Sequence, residues 1–161
     1  MKKGLLLAYS SFSLFYASFA NAASPSLPSV VSPEMRKKAE EAIASCERSY
    51  QNVKEQGKRL DNIKKPRLID SQKAKKAYKN KEVYKKVFNL RFAQFAEFTN
   101  DKTKIRTAKE VSKFQEEINA YSSNCARFAG GLVEFVEWAV TGKPKEKGYE
   151  RIFKRWIEEA N

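Results

Sequence analysis

The side chains of this chain with the clearest chemical potential are its two cysteines, Cys46 and Cys125. A cysteine nucleophile is usually activated by a neighbouring histidine, and the chain contains no histidine. Both cysteines occupy apolar positions of predicted helices, and they come to within about 8 Å of the same level if those two helices run parallel. The pair therefore predicts a disulfide bond, as an exported protein can maintain, rather than a reactive thiol.

The lack of histidine removes several classes of active site. Ser-His-Asp and Cys-His nucleophiles, histidine-ligated zinc and haem, and Glu-x-x-His di-iron sites all need that side chain. Glu134 and Glu137 share a helical face and could in principle act as a glycosidase-like acid pair. With 32 lysines and arginines in the chain, we favour ion pairs or solvated faces for such carboxylates. The sequence predicts no enzyme, no metal site and no cofactor.

Lysines crowd the stretch Lys73–Lys86, which reads KAKKAYKNKEVYKK and contains seven of them. Over Lys54–Lys86 thirteen basic residues accompany four acidic ones, and the whole chain has a net charge of +13. Such a surplus attracts anionic partners over long range. Most of the run falls on the solvent-exposed side of a predicted amphipathic helix. Trp138 lies beside the apolar stripe of another predicted helix. We expect these residues to bind a partner: Lys75, Lys76, Lys79, Lys86 and Trp138.

The N-terminus, MKKGLLLAYSSFSLFYASFANA, reads as a signal for secretion. Lys2 and Lys3 precede an apolar run, and Ala20-Asn21-Ala22 forms an A-x-A cleavage site. We therefore expect a signal peptide over residues 1–22 and a periplasmic or secreted location, where routine binding of genomic DNA is not expected. Residues 23–31, which contain Pro and Ser and show no periodicity, predict a flexible leader before a domain at 32–161.

Apolar residues recur at steps of three or four in three long stretches, which predicts amphipathic helices. The first begins at Ser32-Pro33, a capping serine followed by a proline suited to the first helical position, and runs to about Lys64. The second begins near Asp70-Ser71, and the third at a capping box formed by Thr107 and Glu110. A short fourth helix covers about 146–160. The prediction is an all-α fold, an up-and-down bundle of three long helices plus a short C-terminal helix, tied by one disulfide.

Some features leave two interpretations open. Gly130-Gly131 interrupts the third helix, either as a kink or close helix crossing, which we favour, or as a hinge. Lys81 lies inside the apolar stripe of the second helix, so its ammonium must either reach the edge along its own stem or meet an anion. The last helix has an apolar and a basic side, and could close the bundle or lie on a membrane.

One apolar group could reach the surface, because Phe98, Val136 and Trp138 lie to the side of the main stripes. Together with the lysines, these observations predict a non-enzymatic exported binding protein, of accessory, inhibitor or immunity type. It would dock an acidic protein partner through the basic surface of Lys54–Lys86, here called the Lys-rich face. The alternative is peripheral binding to an anionic membrane or an envelope polyanion such as lipopolysaccharide or acidic polysaccharide.

Overall fold

The computed structural model describes residues 31–161, and this part of the chain is all-helical, without strands. The predicted signal peptide and nearly all of the predicted leader lie outside the described residues. Val31, the last residue of that leader, is buried against the core.

Helix α1 (Pro33–Asp61) begins where the sequence predicts. The Ser32 hydroxyl accepts a hydrogen bond from the Met35 N–H at 3.2 Å, and proline occupies the first turn, where its missing N–H costs nothing. The helix ends at Asp61, slightly before the predicted end near Lys64. Its buried stripe follows the predicted spacing and consists of Ala39, Cys46, Val53 and Leu60.

The predicted second helix is divided in two at Asn80. Helix α2 (Gln72–Lys79) is capped by the Ser71 hydroxyl, and helix α3 (Lys81–Asn100) follows after that single residue. The Asn80 N–H still bonds to the Lys76 carbonyl, and the Tyr84 N–H bonds to the Asn80 carbonyl, both at 3.0 Å. Backbone hydrogen bonds therefore continue on both sides of the break.

The predicted start of the third helix is wrong. A short helix α4 (Thr103–Thr107) precedes it, and helix α5 (Val111–Thr141) begins four residues after Thr107. Instead of capping α5, the Thr107 hydroxyl donates to the Thr103 carbonyl at 2.7 Å, while Ile105 is buried in the core. Burial of this apolar turn outweighs the local capping preference. The end of α5 is as predicted, because Gly142 takes the left-handed conformation at its C-cap.

Helix α6 (Tyr149–Ala160) begins three residues later than the sequence predicts and packs on α3 and α5. Its apolar side faces these helices: Phe153 is fully buried and contacts the Phe135 ring edge-on at 5.2 Å. The helix therefore covers the protein core with the side that could otherwise have lain on a membrane.

The long helices alternate in direction. Cys46 of α1 is bonded to Cys125 of α5, and further along both helices Arg59 pairs with Glu137 at 2.9 Å, so α1 and α5 run parallel. Tyr50 of α1 stacks on Phe92 at 4.7 Å, while the later Gly57 lies against the earlier Phe88, so α3 runs the opposite way. Their shared core contains the fully buried side chains Leu60, Phe95, Phe114, Leu132, Phe135 and Phe153.

The Cys46–Cys125 disulfide joins the middles of α1 and α5, as the sequence predicts, with 5.8 Å between the Cα atoms. Both cysteines are buried. The bond closes a loop with a sequence separation of 79, which in the chain-entropy model stabilises the fold by about 4–5 kcal/mol.

Candidate functional site

The predicted partner-binding lysines divide into two groups. Lys76, Lys79 and Lys86 have exposed side chains, and no hydrogen bond or ion pair holds them to other residues in the described part of the chain. Lys75 differs, because its Nζ donates to the Leu68 carbonyl at 3.0 Å. Three of the four predicted lysines are therefore available to an external anion, and the fourth secures a loop.

Lys76 and Trp138 line one cavity of about 490 Å³. This cavity, here called the aromatic cleft, lies where the α2–α3 junction, α5 and α6 meet. Lys79 and Lys86 are absent from its wall. The structure therefore unites only two of the predicted site residues; the complete lining is Lys76, Asn80, Val83, Tyr84, Trp138, Lys154, Ile157, Glu158 and Asn161.

The floor of the aromatic cleft is apolar and closely packed. The Tyr84 ring is buried and meets the Trp138 ring edge-on at 5.0 Å. Burial raises the pKa of the Tyr84 phenol, against the opposing effect of a hydrogen bond from the Asn80 side chain, so this hydroxyl stays neutral at ordinary pH. The packed Tyr84 and Trp138 rings give a bound apolar group a preformed surface.

The rim of the aromatic cleft carries cations on two elements. Lys76 reaches it from α2 and Lys154 from α6, and neither has an ion-pair partner among residues 31–161. Glu158 contributes one exposed carboxylate. An apolar floor under a rim that carries two lysines and one glutamate suits a ligand that combines an apolar side chain with carboxylates.

The predicted exposed patch of Phe98, Val136 and Trp138 does not form. Val136 is fully buried, and Phe98 stacks on Tyr121 with 5.1 Å between ring centroids. Trp138 is half-buried between its core neighbours and the aromatic cleft. Helical spacing placed these residues at the side of the stripe, but α4 and α6 and their neighbours widen the buried face beyond that stripe.

Two other cavities have less suitable linings. One cavity, of about 690 Å³, is lined in part by Glu47. The Glu47 carboxylate pairs with Lys102, so the charges of both side chains are already neutralised. The other, of about 310 Å³, is bordered by Arg91 and Arg127. There the Arg91 guanidinium lies 5.2 Å from the Trp156 ring centroid and pairs with Glu159. Burial, followed by the charge of Arg155, lowers the pKa of Arg91.

The carboxylates considered for acid–base chemistry have structural partners. Glu134 accepts a hydrogen bond from the Lys145 N–H at 2.7 Å, and Glu137 pairs with Arg59. No group of three or more His, Cys, Asp or Glu side chains in residues 31–161 is placed to hold a metal ion. The absence of an enzymatic function remains a prediction.

Gly130 and Gly131 lie where α5 crosses α6. A Cβ at Gly131 would lie 3.4 Å from Trp156 of α6, and one at Gly130 would lie 3.9 Å from the Tyr149 hydroxyl. Helix α5 continues through both glycines. A Cβ at either glycine would make ordinary contacts, so the choice between a close crossing and a hinge stays a prediction.

Two conspicuous residues were missed by the sequence analysis. Leu68 and Ile69, in the loop between α1 and α2, are 95% and 82% exposed. The available signal was an aliphatic pair within KKPRLID, outside any helical stripe and preceded by three basic residues.

No family model, curated protein or solved structure matches this chain. Within residues 31–161, no helix is both long and apolar enough to cross a membrane.

Proposed function

We propose that this chain is an exported, non-enzymatic up-and-down helical bundle that binds an acidic segment of a partner protein in its aromatic cleft. The observation that carries the proposal is the meeting of Lys76 and Lys154 above a floor containing Tyr84 and Trp138. A disulfide that buries both cysteines suits an oxidising compartment, which supports the periplasmic or secreted location predicted from the signal sequence.

An acidic peptide segment suits the cleft better than an isolated small anion. A volume of about 490 Å³ accommodates an apolar side chain, while the rim lysines can pair with carboxylates on either side of it. Beyond the rim, Lys79 offers a further unpaired charge on the same helix as Lys76. An extended partner can engage these cations in succession, and their field speeds its association.

The test is fluorescence polarisation with a labelled acidic peptide that has a central phenylalanine. Replacing the phenylalanine by alanine, or the acidic residues by lysine, should each weaken binding. Lys76→Glu combined with Lys154→Glu should lower the affinity at least tenfold, since reversed charges oppose the ligand at the rim. Added salt should weaken binding to the wild-type protein.

Two matched double variants separate the cleft from the general positive charge. Lys79→Glu with Lys86→Glu makes the same charge change on the Lys-rich face outside the cleft, and because Lys79 can still meet an extended partner, its loss of affinity should be smaller than that of the rim variant but not zero. Lys104→Glu with Lys109→Glu makes it at exposed positions near α4. Equal losses in all three double variants would refute a specific cleft and leave only nonspecific attraction. Equal affinity for the peptides with phenylalanine and with alanine would instead favour the alternative of a general polyanion binder.

A further inference from the structure

The most exposed large apolar side chains in the described residues are the neighbours Leu68 and Ile69. They are 95% and 82% exposed, whereas Leu90, the next most exposed, is 44%. Isolated apolar side chains at a surface need no explanation, but two adjacent ones held away from the core form a distinct feature.

The pair lies at the apex of a hydrogen-bonded turn. The Asp70 N–H donates to the Arg67 carbonyl at 3.1 Å, and the Arg67 N–H donates to the Asp70 carboxylate at 2.7 Å. Lys75 of α2 donates to the Leu68 carbonyl. Because both ends of the turn and its apex are fixed by these bonds, the aliphatic side chains are directed outwards by defined local structure.

The surroundings of the turn are cationic. Lys64 and Lys65 are exposed, and neither has a partner among residues 31–161. The carboxylate of Asp70 is already engaged by Arg67, which lowers the pKa of Asp70 through the backbone N–H. At the start of α2, the side chain of Lys143, followed by burial, lowers the pKa of Lys73, so these two basic side chains lie close together.

We infer that the turn Arg67–Asp70 docks the protein on an anionic lipid bilayer, with Leu68 and Ile69 inserted among the acyl chains and the surrounding lysines on the headgroups. Lipid phosphates complement the lysines beside the turn, such as Lys64 and Lys65, and each lysine or arginine held near such a surface contributes to binding. The contact lies on the loop, so it is separate from the apolar side of α6, which packs on α3 and α5.

The shape and size of the feature favour a bilayer over a protein partner. A stable protein interface buries about 800 Å² on each side, with a packed apolar centre. Two side chains on a convex turn supply only a small part of such a surface, and a protein would need a matching pocket. A bilayer interface needs no pocket, because apolar side chains enter the acyl-chain region directly while basic residues stay at the headgroups.

Sedimentation with vesicles tests the inference. The wild-type mature protein should bind vesicles of equal parts phosphatidylcholine and phosphatidylglycerol, and bind pure phosphatidylcholine far more weakly. Leu68→Ser with Ile69→Ser should reduce affinity about 100-fold, as loss of two inserted aliphatic side chains predicts. Both residues lie outside the core, so the thermal stability should stay unchanged.

Leu90→Ser is the matched control, since it removes a partly exposed leucine elsewhere and should leave vesicle binding unchanged. Leu68→Trp provides a direct readout: its fluorescence should shift to the blue on binding and be quenched by lipids brominated in the acyl chains. Equal binding by wild type and the Leu68/Ile69 variant, or no vesicle binding by the wild type, would overturn the inference.

The outcome is independent of the proposed cleft. The Lys76→Glu, Lys154→Glu variant should still insert Leu68→Trp into vesicles, and the Leu68/Ile69 variant should still bind the acidic peptide. If instead the Leu68/Ile69 variant no longer binds the acidic peptide and the wild type does not bind vesicles, the turn belongs to a protein interface and the bilayer assignment is wrong.

Discussion

The Lys81 ammonium lies between solvent and the carboxyl-terminal end of α1. Its Nζ donates to the Asp61 carbonyl at 3.3 Å and to the Ile63 carbonyl at 3.4 Å. The Asp61 carbonyl is at the negative end of the helix dipole and lacks a helical partner, and the Ile63 carbonyl follows just beyond the C-cap. The lysine predicted to face the core thus reaches its edge along an apolar stem and binds backbone oxygens there, with no carboxylate required.

Replacing Lys81 by methionine should therefore destabilise the protein by about 1 kcal/mol, the usual net contribution of such a hydrogen bond. Methionine preserves the stem but leaves the carbonyls at the end of α1 to water. Urea unfolding of the variant measures the change. Lys86→Met is the control: Lys86 is exposed without a partner in the described residues, so its loss should have little effect. Indistinguishable stabilities of the two variants would contradict this role for Lys81.

At the scale of the helices, Gly57 sets how closely α1 approaches α3. A Cβ added to Gly57 would lie 2.5 Å from Cζ of Phe88, an impossible separation without movement. A glycine inside a helix ordinarily costs about 1 kcal/mol relative to alanine. Its presence here is explained by the close approach of the Phe88 ring.

Gly57→Ala should consequently destabilise the fold by about 1–3 kcal/mol, because overpacking outweighs the gain in helix propensity. The same change at Gly130 should stabilise it by up to about 1 kcal/mol, since the nearest atom to the new Cβ is the Tyr149 hydroxyl at 3.9 Å. Denaturant unfolding of the two variants gives the signs. A stabilised Gly57→Ala protein would show that the Phe88 ring moves aside at little cost.

The sequence predicts helices more reliably than it predicts their joints. Ser32, Ser71 and Gly142 mark helix ends correctly because capping chemistry is local. The Thr107 capping box fails because burial of Ile105 favours a separate turn, and this depends on contacts distant in sequence. Asn80 provides too weak a local signal to indicate that a helix divides there.

The candidate site was predicted in part for the same reason. Lysine exposure follows from helical periodicity, which identifies Lys76 and Lys79 as surface residues. Periodicity does not reveal that Lys76 opposes Lys154 across a cleft, because the position of α6 depends on tertiary packing. Val136 was misplaced at the surface because the periodic stripe does not include the area that neighbouring helices cover.

At the scale of the whole molecule, the charges predict a simple response to pH. The chain lacks histidine and both cysteines are bonded, so no side chain with an ordinary pKa titrates between about pH 5 and 9. The hydrogen bond from Lys85 lowers the pKa of Asp61, and the Arg67 N–H lowers that of Asp70. Burial raises the pKa values of Tyr84 and Tyr121.

The stability should form a plateau between about pH 5 and 9 and fall on both sides. Asp61 and Asp70 have lowered pKa values in the folded protein, so their contribution is present above the unfolded value and is lost as the pH falls through the folded one. The buried tyrosines have raised values, so the unfolded chain ionises first above about pH 10 and unfolding is favoured. Urea midpoints measured across this range check the profile; a step near neutral pH would contradict it.

The position of the disulfide also determines what a protease can remove. The exposed basic loop with Lys64, Lys65 and Arg67 lies between Cys46 and Cys125, inside the covalently closed part of the chain. Hydrolysis of one peptide bond in that loop produces two polypeptides that remain joined through the two sulfur atoms. Outside the cell, a trypsin-like cut after Arg67 would therefore nick the molecule without releasing either piece, until a reductant separates them.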